Sequence, residues 1–151
     1  YLKAGQFGKA YKDLEKQAGR AKDPAVEKAA REAMQKIAEF ASVDLARVAQ
    51  FKKEHKYSAG LQALQRGAVS FKGMTIAKEF EKELKAWKKD KSIQAEMAGS
   101  AMLDEAKDLV KRGKYEKAAK IYAALAKSKK YAGSAAQKEA EIRLQEIKKY
   151  L

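Results

Sequence analysis

The sequence predicts an all-α fold of about three degenerate helical repeats, and three observations predict it. Apolar residues recur three and four apart rather than alternating, and β-branched residues are too scattered to build strands. One Pro and nine Gly in 151 residues leave few places for turns. An aromatic heads the same pattern three times, at Phe7, Tyr57 and Tyr115: three residues on stand Ala10, Gly60 and Ala118, seven on Leu14, Leu64 and Tyr122, eleven on Ala18, Ala68 and Ala126. Those offsets share one side of a helix, so each aromatic opens a helix with the same apolar stripe.

Taken in order, the first helix starts at Phe7, behind a Gly5 placed where a chain passing between helices uses positive φ. Asp23-Pro24 begins the next, Asp capping free amides and Pro occupying a first-turn position that needs no donor. Its stripe runs Val26, Ala30, Met34, Ile37, and Ser42 is expected to be able to cap a new helix and break the stretch 24–54. His55 takes the Gly position ahead of Tyr57, and Gly73 marks the turn into a stripe of Ile76, Phe80, Leu84 and Trp87. The stretch 74–112 is expected to break near Asp90 to Ser92, with Gly99 beyond it letting another helix approach closely. Gly113 precedes Tyr115, Gly133 marks a turn, Ser134 caps the last helix, and Ala136, Ala140, Leu144 and Ile147 form its stripe. The copies thus begin near residues 5, 55 and 113, within a single helical-repeat domain spanning 1–151. Because Phe7 lacks the helix that precedes the later aromatics, this register predicts further sequence upstream of residue 1.

The net charge of +14, from 34 basic and 20 acidic residues, favours polyanions. The excess is spread along the chain, and only six basic residues are Arg, the side chain suited to bidentate phosphate and base contacts. The densest stretch holds Lys107, Lys111, Arg112, Lys114, Lys117, Lys120, Lys127, Lys129 and Lys130 against Asp108 and Glu116. Helical geometry sets Lys117, Lys120 and Lys127 opposite the Tyr115, Ala118, Tyr122, Leu125 stripe, which favours a solvated face over a nucleic-acid groove. No apolar run approaches the ~20 residues of a membrane span.

Gly113-Lys-Tyr115-Glu-Lys-Ala118-Ala-Lys-Ile-Tyr122-Ala-Ala-Leu125 resembles the second helix of a tetratricopeptide repeat. Tyr131-Ala-Gly133-Ser134 is similar to the opening of the next helix in the variants found in bacterial cell-envelope proteins, with Ala132 in place of Pro. Gly8 and His55 depart from the pattern in the first two copies, and the copies are spaced more widely than in that family. The resemblance covers residues 97–151 well and the rest loosely. It implies antiparallel helix pairs stacked as a short α-solenoid, a non-catalytic scaffold that binds a protein partner or other domains of its own parent chain. It also implies a bacterial periplasmic or cell-envelope setting. The alternative is a polyanion binder, nucleic acid or acidic surface, acting through the lysine-rich surface.

Catalytic chemistry finds little support. A Ser or Cys nucleophile needs a base and an orienting group, and the chain has no Cys and one His. His55, among Lys52, Lys53 and Lys56, is read as a helix-end residue whose donors meet exposed carbonyls. Carboxylate pairs such as Asp104/Asp108 and Glu79/Glu83 are read as solvated, and no phosphate-binding or dinucleotide motif occurs, so neither metal nor cofactor is expected. Trp87, Phe40, Phe51, Phe71 and Phe80 are read as core. A ligand site between helices would need a polar pocket that the sequence does not display.

Overall fold

A computed structural model describes all residues, Tyr1–Leu151. It holds seven helices and no strand: α1 Phe7–Arg20, α2 Pro24–Lys53, α3 Tyr57–Ser70, α4 Thr75–Lys89, α5 Lys91–Lys111, α6 Tyr115–Lys127 and α7 Ala135–Ile147, with 3₁₀ turns at Lys129–Tyr131 and Lys148–Tyr150. The helices gather into two compact units, Tyr1–Trp87 and Lys88–Leu151.

The three aromatic-headed helices start from one backbone device. Gly5, His55 and Gly113 have φ of 68°, 57° and 71°. Gln6, Lys56 and Lys114 follow them with φ/ψ of −95°/59°, −89°/59° and −90°/60°. The amides of Gln6, Lys56 and Lys114 each donate to a carbonyl five residues back, on Tyr1, Phe51 and Leu109, at 2.9 Å. Those of Gly5, His55 and Gly113 donate three back, to Leu2, Lys52 and Val110. This pair of hydrogen bonds closes free carbonyls at the ends of α2 and α5, and of the turn before α1, and needs a left-handed residue, which glycine supplies without a Cβ clash. His55 adopts the same geometry with a side chain.

In the 1–87 unit, α2 packs against both α1 and α3. It runs unbroken for 30 residues, which corrects the break considered at Ser42. The Ser42 hydroxyl donates back to the Ala38 carbonyl at 3.1 Å, so it serves the helix interior and caps nothing. Two further readings are corrected: Val26, placed on the apolar stripe, is 50% exposed, since burial along α2 begins one turn later at Ala30. Phe40, read as core, is 47% exposed, its ring tilted against Phe7 at 5.2 Å and Phe71 at 6.3 Å. The α4 helix meets α3 through rings laid on glycines. A Cβ on Gly60 would fall 2.5 Å from the Trp87 ring, and one on Gly67 would overlap Phe80. Phe80 in turn stacks on Phe71 at 5.7 Å, and Phe71 on Phe7 at 5.4 Å.

In the 88–151 unit, Asp90 stops α4 and caps α5, accepting from the Ser92 and Ile93 amides at 2.8 and 3.1 Å. Helices α5, α6 and α7 pack on one another around Leu103, Ala106, Ala118, Tyr122, Leu125, Ala136 and Ala140. Gly99 sits where a Cβ would come within 2.7 Å of Ala136 Cβ, the close approach its position suggests. Ser134 Oγ accepts from the Gln137 amide at 3.1 Å. The Gln137 side chain joins two helix ends: it accepts from the Gly133 amide at 3.0 Å and donates to the Ala126 and Ser128 carbonyls at 3.1 and 3.0 Å.

Candidate functional site

The basic residues singled out in the sequence separate into different environments. Lys117, Lys120 and Lys127 are exposed on α6, away from its buried Ala118, Ala119, Tyr122 and Leu125. Arg112 pairs with Asp108 at 2.8 Å, one turn back on α5. Lys114, Lys129 and Lys130 are exposed in the two turns that flank α6, and Lys130 lies 5.4 Å from the Tyr131 ring centre. Lys107 and Lys111 instead line a cleft of about 570 Å³ in the 88–151 unit.

That cleft is built by helical spacing on two elements. On α5, Lys107, Val110 and Lys111 fall on one side; on α7, Arg143, Glu146 and Ile147 do the same. Tyr122 contributes from α6, and Lys149 and Tyr150 close the rim, the Tyr150 ring stacked on Tyr115 at 4.9 Å. Glu139 bridges Lys107 at 2.8 Å and Arg143 at 3.5 Å, and Arg143 also reaches Glu146 at 3.1 Å. Lys111 and Lys149 have no acidic partner. The hydrogen bond from Lys107, aided by both cations and opposed by burial, holds the Glu139 carboxyl below the ordinary glutamate value.

Tyr122 is 2% exposed, lines the cleft, and makes no hydrogen bond through its hydroxyl. Burial pushes its phenol above the ordinary value, against the pull of Arg143 and Lys107, so the group stays protonated and offers a donor. The sequence stripe identifies Tyr122 as core, which its ring is. Arg143, Lys149 and Tyr150 were not singled out, and no local signal marks them, because they meet Lys107 and Lys111 only through the packing of α7 on α5.

In the 1–87 unit, α2 and α4 leave a trench between them. One end, about 750 Å³, is lined by Tyr11 and Lys12 of α1, Ala38, Ser42, Leu45 and Ala46 of α2, and Ile76 and Glu79 of α4. The other, about 500 Å³, shares Leu45 and Glu79 and continues past Val48, Ala49 and Lys52 to Lys82, Glu83 and Trp87. Short side chains at Ala38, Ser42, Ala46 and Ala49 keep the α2 wall low. Trp87 is buried with its indole N–H lacking an acceptor. His55 lies apart, its Nδ1 3.1 Å from the Tyr57 hydroxyl and its ring edge-on to Tyr57 at 5.7 Å. No three His, Asp or Glu side chains converge as a metal site.

No protein-family model, curated protein or solved structure matches the chain. No helix is long and apolar enough to cross a membrane.

Proposed function

We propose that the chain is a non-catalytic, tetratricopeptide-like interaction module: helix pairs stacked as a short α-solenoid, serving as an accessory scaffold in a larger bacterial protein. The observation that carries this reading is the recurrence of one turn, with matching dihedrals and bonds, at Gly5, His55 and Gly113 ahead of each aromatic-headed helix. Repeats of that kind bury their apolar faces on neighbours and leave an open face for partners. The α2–α4 trench is the surface we assign to a protein partner, since its low wall of Ala and Ser admits backbone and its rim mixes Lys12, Lys52 and Lys82 with Glu79 and Glu83.

A photo-crosslinking residue at the exposed Ala46, in the trench, and another at Lys120, on the outer side of α6, test this. The reading expects a discrete protein adduct from position 46 and not from 120, surviving a rise from ~50 to ~200 mM salt. Equal labelling at both positions, or none, would refute it.

The second reading, polyanion binding, is favoured by one observation: Lys111, Lys114, Lys117, Lys120, Lys127, Lys129 and Lys130 carry no ion pair. Unneutralised cations release counterions when they meet phosphates, so nucleic acid captured at ~50 mM salt and lost by ~200 mM would support this reading.

A further inference from the structure

We propose that the cleft between α5, α6 and α7 binds a small amphipathic carboxylate, an apolar or aromatic body carrying one anionic group. This goes beyond the scaffold reading and does not depend on it.

The cleft has the size of a small-molecule site, about 570 Å³ against the ~300–1,000 Å³ typical of ligand pockets. Its walls divide by chemistry. Val110 and the exposed Tyr150 offer apolar surface over a floor of the nearly sealed Ile147 and Tyr122, while Lys107, Lys111, Arg143 and Lys149 bring cations. The carboxylates that answer them are Glu139 and Glu146, both already engaged, which leaves Lys111 and Lys149 uncompensated. A cationic ligand would face this surplus directly, and a neutral apolar one would leave it unanswered.

Tyr122 sharpens the choice. Its ring is held by the core, so its hydroxyl is fixed in place, yet no protein group accepts its proton. The single polar side-chain atom sealed from solvent without a partner is Trp87 Nε1, in the other unit, so the Tyr122 hydroxyl is reached through the cleft it lines. The charged groups around that phenol are Arg143 and Lys107 with Glu139 and Glu146, while Lys111, and Lys149 over the Tyr150 ring at 5.0 Å, line the same cleft without an acidic partner. A fixed phenolic donor in a cleft with that cationic surplus matches a carboxylate, and hydrogen bonds to a charged acceptor are the stronger kind.

The test is an NMR amide-shift titration of the full chain with 2-naphthoate and with its neutral isostere 2-naphthamide. The expected result is naphthoate binding with a dissociation constant on the order of 0.1 mM, shifts centred on 107–111 and 143–150, and naphthamide at least about ten-fold weaker. Tyr122→Phe, which keeps the ring, should weaken naphthoate by about ten-fold and naphthamide, whose neutral carbonyl accepts the same bond less strongly, by less. Lys111→Ala, at an exposed position, should weaken naphthoate too and provides the answer if Tyr122→Phe disturbs folding. Equal binding of the two probes, undiminished affinity in both variants, shifts centred elsewhere, or no naphthoate binding by ~5 mM would each overturn the proposal.

Discussion

Gly67→Ala and Gly19→Ala are the same substitution in two helices of one unit, and the structure gives them opposite signs. At Gly19, near the end of α1, an added Cβ meets nothing within 4 Å. The substitution there gains part of the roughly 1 kcal/mol by which Ala exceeds Gly in a helix, about 0.5 kcal/mol so close to the terminus. At Gly67 the Cβ would enter the Phe80 ring, which is 0% exposed and backed by Phe71 in a parallel stack. With no room to retreat, overpacking costs about 1–3 kcal/mol, which offsets the propensity gain of about 1 kcal/mol and leaves a net loss of up to about 2 kcal/mol. Trp87 is the one tryptophan and lies in the 1–87 unit, so its fluorescence reports that unit's unfolding in urea. With a slope of about 1–2 kcal/mol per molar, the two variants should separate by about 1 M in midpoint. A Phe80→Leu change in the Gly67→Ala background should recover part of the loss, as expected for directly coupled sites. If Gly67→Ala is as stable as Gly19→Ala, the Phe80 ring does not rest on α3 and the account of how α4 is held is wrong.

Other expectations concern the turns and the 88–151 unit. Gly113→Ala, strained only by its φ of 71° since nothing crowds the position, should cost about 1–2 kcal/mol in thermal or urea unfolding. Gln137→Ala removes the acceptor for Gly133 and the donor for two carbonyls beyond the middle of α6, and should cost about 2 kcal/mol by far-UV circular dichroism. Glu139, whose carboxyl is held below its ordinary value by Lys107, contributes stability that is complete above the ordinary glutamate range and lost as pH falls through the lowered value. Stability should therefore rise more steeply with pH across that window in the unmodified chain than in Glu139→Gln, and equal slopes would show that the Lys107 bridge adds nothing. Tyr122→Phe should leave the urea-unfolding free energy within about 0.5 kcal/mol of the original, because the hydroxyl it removes has no protein partner.

The helices and their ends are legible in the sequence because their causes are local. Asp23, Asp90 and Ser134 cap helices through atoms two or three residues away, and the left-handed turns depend on the stretch just before them. Residues whose neighbours come from distant segments are not legible. Periodicity marks which side of α2 carries Val26 and Phe40, but burial depends on what lies over each turn. Ser42 has the chemistry of a cap and of a helix-interior back-bond alike, and only the surrounding backbone decides between them. The cleft is the clearest case: Lys107 was singled out for its charge, while Glu139, Arg143 and Tyr150, which define its setting, come from a helix and turn whose approach no local pattern encodes.

The unbroken α2 has a consequence for how the 1–87 unit opens. Thirty residues at about 1.5 Å each make a rod of about 45 Å, and α1 and α3 both rest on it. Neither can detach without exposing surface on that shared rod, so the amides of α1, α2 and α3 should exchange with solvent deuterium as one cooperative block. The α4 helix is tied to that block by Phe80 and Trp87, 0% and 2% exposed, which cannot leave α3 without uncovering the core, so its amides should exchange with the block and Trp87 fluorescence should report the same event.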